Sequence, residues 1–69
     1  MIISEEQEKF LRKHIDSFDA FLKEDDVDGL LDAISDYQLE VGFEKDGEPN
    51  KFGLEIERIY DEVLSQNDD

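Results

Sequence analysis

Asp28, Asp32, Asp36 and Glu40 recur at every fourth position with no basic residue among them, a spacing that lines carboxylates along one side of a helix. Such a row can bind a cation, move a proton or attract a basic surface. The charge around it is concentrated. Residues 24–50 hold ten acids and one base, whereas residues 1–23 hold five acids and four bases, and residues 51–69 hold six acids and two bases. Each like-charged i, i+4 step costs roughly 0.2–0.5 kcal/mol in an isolated helix, so the row forgoes about 1 kcal/mol that interspersed lysines would restore. Solubility alone does not require that loss. A rise of 1.5 Å per residue sets the groups about 6 Å apart along the axis, close to the phosphate spacing of a nucleic-acid strand. The row therefore suits a basic groove that otherwise holds nucleic acid.

Little else in the chain supports catalysis. There is one histidine, no cysteine, no threonine and four scattered serines. Disulfides, thiolate metal sites and cysteine nucleophiles are excluded. His14 lies at the edge of an apolar row, where a packed or hydrogen-bonded role is expected. A lone histidine supplies neither a triad nor a metal site. A general acid needs a carboxyl in an apolar pocket, and a domain of this size has little volume for a cleft beside its core. The expectation is a protein that is not an enzyme and needs no cofactor.

Two short segments have the form of known sites. Glu24, Asp26, Asp28 and Asp32 stand at positions 1, 3, 5 and 9 of a twelve-residue window with Gly29 at 6 and Leu31 at 8, and this window resembles an EF-hand loop. The resemblance implies calcium, but Ser35 occupies position 12, where a glutamate normally donates two oxygens, and Glu24 replaces the usual aspartate. Without a second loop, only weak and nonspecific divalent binding is expected. Asp16-Ser17-Phe18 resembles the Asp-Ser-Leu of acyl carrier proteins, whose serine carries phosphopantetheine at the start of a helix. In this sequence the apolar pattern runs through Ser17 and places it in mid-helix.

The elements that must position these residues follow from apolar spacing. Ser4 and Gln7 form a capping box, after which Leu11, Ile15, Phe18 and Leu22 make one apolar row and Phe10, His14 and Phe21 a second. They predict a helix over about 5–23, with Glu5–Lys9, Glu8–Arg12 and Asp19–Lys23 paired on its outer face. Asp25 as N-cap and Asp28 in the first turn begin a second helix over about 26–41, with Val27, Leu30, Leu31, Ile34, Tyr37 and Val41 on one face and a stop at Gly42. Gly29 costs that helix about 1 kcal/mol relative to alanine. After the turn-rich stretch from Lys45 to Asn50, a third helix over about 50–65 carries Phe52, Ile56, Ile59, Tyr60, Val63 and Leu64, and residues 66–69 fray. One helix with two apolar rows implies an all-α three-helix bundle.

Leu39 and Leu54 fall on the polar sides of their helices. Leu39, Val41 and Phe43 alternate, as do Phe52, Leu54 and Ile56, so the alternative is an α+β fold with a β-hairpin at about 38–56 between two helices. In the helical reading, Leu39, Phe43 and Leu54 form an apolar patch near the second connection, beside the acidic row. That is the anatomy of an interface, with an apolar centre to anchor and charges to steer.

The whole chain, at 69 residues and 8.1 kDa, fits a single domain. Its charged fraction of 41% accompanies 38% hydrophobic residues, five Phe and two Tyr, which are enough to fold rather than remain disordered. A net charge of −14 repels phosphate backbones and anionic lipid, so direct nucleic-acid and membrane binding are not expected and a partner attracted over distance is basic. Met1-Ile2-Ile3-Ser4 runs directly into Glu5, Glu6 and Glu8 without the charge and apolar pattern of a signal peptide, and no apolar run approaches a membrane span. A cytoplasmic location is expected. The leading functional reading is a small protein-interaction module: an inhibitor, an immunity-type protein or an adaptor, possible nucleic-acid mimicry included, that docks a basic surface. The alternative is a self-associating structural domain, monomer or homodimer, in which the two rows of the first helix also form the dimer contact.

Overall fold

Ser4 opens the first helix through a reciprocal capping box. Its side chain accepts from the Gln7 backbone N–H at 3.1 Å, and its own N–H donates to Gln7 Oε1 at 3.0 Å. The computed structural model describes residues 1–68, and these form four helices: α1 (Glu5–His14), α2 (Phe18–Glu24), α3 (Val27–Val41) and α4 (Lys51–Asn67). The fold is all-α.

The single helix expected over residues 5–23 is broken. Ile15 turns extended (φ −110°, ψ 107°) and closes α1, and α2 restarts at Phe18 behind Ser17. The residues flanking the break suit it, since Arg12 and Lys13 stand in the last turn of α1, where cations complement the helix dipole. Both Ile15 and Phe18 are buried, and burying two such side chains gives roughly 3–6 kcal/mol. That is at least comparable to the cost of the few helical hydrogen bonds lost at the elbow, at about 1 kcal/mol net each. Arg12 spans the break by pairing with Glu8 at 2.7 Å and with Asp19 across the elbow, its guanidinium 5.4 Å from the Phe18 ring centre. Asp19 thus pairs with Arg12 rather than with Lys23, whereas Glu5–Lys9 forms at 3.8 Å.

The junction between α2 and α3 is equally tight. Asp25 caps the end of α2 in the left-handed region (φ 54°) and pairs with the Met1 ammonium, and aspartate is among the few residues that tolerate this backbone. The N-cap of α3 is therefore Asp26, one residue later than expected, and its carboxylate accepts from the Gly29 N–H at 3.0 Å. A Cβ on Gly29 would meet that carboxylate at 2.4 Å and the Phe21 ring at 2.9 Å. The low helix propensity of glycine is accepted here in exchange for the cap and the packed ring.

The hairpin alternative does not hold, because the two alternating segments belong largely to α3 and α4. Only one isolated antiparallel bridge, Phe43 with Pro49, forms in the loop between them. Gly47 supplies the positive φ of 88° for its turn. Asn50 fastens both ends: its side chain accepts from the Gly53 N–H at 2.7 Å as the cap of α4 and donates to the Val41 carbonyl at 3.1 Å. α4 then returns alongside α3, with Gly53 seated against Gly42.

Leu11, Ile15, Phe18, Leu30, Leu31, Ile34, Ile56, Ile59 and Val63 make one buried core to which all four helices contribute. The buried Gln7 donates to Glu62 at 3.0 Å and Gln66 at 2.9 Å. Asn67 accepts from the Ile2 N–H at 2.6 Å and donates back to the Ile2 carbonyl at 2.9 Å. These bonds hold residues 66 and 67 in α4, where fraying was expected; of that predicted stretch, Asp69 lies outside the described residues.

Candidate functional site

Asp28, Asp32, Asp36 and Glu40 all lie on α3 and all are exposed. A four-residue step advances about 40° around a helix of 3.6 residues per turn, so the row winds instead of running straight. The two ends of the row meet different surroundings. Asp36 and Glu40 border an open groove of about 280 Å³ between α3 and the elbow, whereas Asp28 and Asp32 stand outside it.

The elbow creates this groove. Ile15, Asp16 and Ser17 form one wall, Phe21 of α2 continues it, and Ala33 and Tyr37 of α3 face them. His14 closes one end, with Nδ1 3.1 Å from the Tyr37 hydroxyl. Its ring lies 4.6 Å from Phe10 and 5.1 Å from Phe52, centre to centre, and Phe52 also meets Tyr37 edge-on at 6.1 Å. His14 is thus the packed, hydrogen-bonded histidine that the sequence suggests, and Tyr37 is held from two sides.

A second groove of about 470 Å³ runs between α3 and α4, with Ser35 and Gln38 facing Glu57, Tyr60 and Asp61, and Phe43 and Pro49 at its loop end. Of the expected apolar patch, Phe43 (40% exposed) enters this groove, while Leu39 (69%) and Leu54 (53%) lie open on α3 and α4 and line neither concavity.

Charge pairing sets α3 apart. Among the described residues the ion pairs are Lys9–Glu5, Arg12–Glu8, Arg12–Asp19 and the Met1 ammonium with Asp25; none involves a carboxylate of α3. The hydrogen bond to Glu8 is the main cause raising the Arg12 pKa above its ordinary value, with the charges of Asp19 and Glu8 adding to it. The side-chain cations that form ion pairs thus lie on α1, and the α3 carboxylates have no direct ion-pair partner among the described residues.

The two short resemblances fare differently. The window from Glu24 to Ser35 is the end of α2, a two-residue junction and the first turns of α3, not a calcium loop. Among the described residues no three His, Asp or Glu side chains are grouped to hold a metal ion. Ser17 stands at the start of α2 rather than in mid-helix, because of the elbow, and its hydroxyl makes no capping hydrogen bond. That corrects its expected position, though the likeness to acyl carriers still covers only three residues. Among the described residues no helix is long and apolar enough to cross a membrane. Comparison with protein-family models, with characterised proteins and with solved structures finds no significant match.

The elbow groove is the feature that apolar periodicity conceals, since Ile15 and Phe18 continue the row of Leu11 through the break. A signal was present nonetheless: basic residues followed by Asp16-Ser17 is the order of a helix end and a new helix start.

Proposed function

We propose that this chain is a small acidic interaction module that docks the basic surface of another protein through α3, acting by binding rather than by catalysis. The observation that carries the reading is the row from Asp28 to Glu40, exposed and without an ion-pair partner among the described residues. The arrangement suits an inhibitor, an immunity-type protein or an adaptor whose target surface otherwise holds nucleic acid, within the cytoplasm. Such complexes associate quickly and weaken with salt, because steering acts through the long-range field. Phe43 and Tyr60 in the α3–α4 groove and the open Leu39 and Leu54 supply apolar contact beside the charges.

The docking reading is favoured over self-association for two reasons. Leu11, Ile15 and Phe18 of the first apolar row are in the core, leaving Leu22 as its one exposed member, and Phe10, His14 and Phe21 of the second are partly buried against other parts of the chain. Neither row is left as a broad dimer face, and a charge of −14 per chain opposes pairing of copies.

The test is affinity capture from the source organism's lysate at low and moderate salt, with wild type beside a variant carrying Asp28→Lys, Asp32→Lys and Asp36→Lys. Retention of a basic protein by wild type, its loss with the variant or with salt, and direct binding of the purified pair support the reading. Equal retention by the variant refutes the acidic row as the site, and retention of nothing but the chain itself favours a structural role.

A further inference from the structure

We infer that the elbow groove is the seat of a single arginine side chain presented by the basic partner. This deepens the docking reading and rests on it. The groove is at the lower edge of the roughly 300–1,000 Å³ typical of ligand pockets, at about 280 Å³. It matches one long side chain better than a free ligand of drug size. Ile15, Phe21 and Ala33 offer apolar surface to an aliphatic stem, while Asp16 from the elbow and Asp36 and Glu40 from α3 bring carboxylates from two separate elements. Among the described residues no cation of the chain pairs with any of these three acids. The charge complementarity is therefore supplied from outside.

Arginine fits this setting better than lysine. Its planar fork of five donors meets carboxylates arriving from different directions, and its face packs on an aromatic ring, whereas an ammonium is a compact and strongly hydrated point charge. Tyr37 provides such a ring, fixed by His14 and Phe52. The chain already contains the same combination nearby: Arg12 sits over Phe18 and pairs with Glu8 and Asp19. The elbow groove repeats the ring and the carboxylates without the guanidinium.

The probes are two end-capped pentapeptides of equal charge, Gly-Arg-Gly-Arg-Gly and Gly-Lys-Gly-Lys-Gly, titrated into the full isotope-labelled chain at low salt and followed through backbone amide shifts. The arginine peptide should bind about fivefold more tightly, the equivalent of one added charge-assisted contact in a partly exposed site. Its shifts should centre on Asp16, Ser17, Tyr37 and Glu40. Asp16→Asn should bring arginine binding down to the lysine level, whereas Asp28→Asn, outside the groove, should weaken both peptides alike. Equal affinities with shifts spread along α3 would overturn the arginine seat while leaving a general acidic docking face intact. Failure of both peptides to bind also overturns it, and the docking reading is then decided separately by the capture experiment.

Discussion

Gly42 and Gly53 meet backbone to backbone at the turn from α3 into α4, so closely that a Cβ on Gly53 would lie 2.0 Å from the Gly42 carbonyl oxygen. The obstacle is main chain, which cannot swing aside as a side-chain tip can. Propensity alone favours Gly53→Ala by about 1 kcal/mol. Contact reverses the sign. Gly53→Ala should destabilise the domain by about 2 kcal/mol, within the usual range for overpacking. For a chain of this size that corresponds to a fall in Tm of about 10 °C, measured by circular dichroism.

Asp32 lies between Asp28 and Asp36 at i−4 and i+4, so Asp32→Lys turns two repulsive steps into two attractive ones. Stability should rise by about 0.5–1 kcal/mol at low salt, and the gain should shrink as salt is added. Binding to the basic partner should weaken in the same variant. A chemical denaturation curve beside a binding isotherm reads both effects, and a loss of stability would show that the row is not mutually repulsive.

Leu54 and Ile56 are two residues apart on α4, yet Leu54 is 53% exposed and Ile56 is fully buried. Leu54→Asp should unfold within about 0.5 kcal/mol of wild type while reducing affinity for the partner. Ile56→Asp buries an unpaired carboxyl and should abolish cooperative unfolding at ambient temperature. Urea titration separates the two.

Salt should stabilise the free protein even as it weakens the complex. The four α3 acids repel one another with no compensating ion pair among the described residues, so raising NaCl from about 20 mM to about 0.5 M should increase Tm by several degrees as the screening length shortens. A Tm that falls over this range would mean that the ion pairs of Arg12 and Lys9 dominate the charge balance. Differential scanning calorimetry decides it.

Helix type and core were largely legible in the sequence because the apolar rows are regular: Leu30, Leu31, Ile34, Ile56, Ile59 and Val63 are all in the predicted stripes and all buried, whereas Leu22, Val41 and Leu64 at the ends of those stripes are exposed. Boundaries were less so. The elbow escaped periodicity because Ile15 and Phe18 stay in phase across it, and the N-cap of α3 moved to Asp26 because Asp25 was drawn into the left-handed end of α2. The exposure of the acidic row and of Leu39 and Leu54 followed directly from their opposition to the stripes. The groove did not, since it depends on the angle between two helices that the pattern joined into one. Likewise, Gly42 marked a helix end in the sequence, but its contact with Gly53 is a tertiary fact that no local signal carries.

The reciprocal bonds between Ile2 and Asn67 make the chain nearly circular. Residues 2 and 67 are already held together, so a short Gly-Ser link between the ends adds little closure entropy. A new opening within the exposed turn at residues 45–47 would separate α3 from α4 in sequence while leaving their packing in place. A permuted chain of that kind begins at α4 and ends with α3. It offers a way to carry the acidic helix at a terminus, where it can be fused, labelled or grafted onto another scaffold.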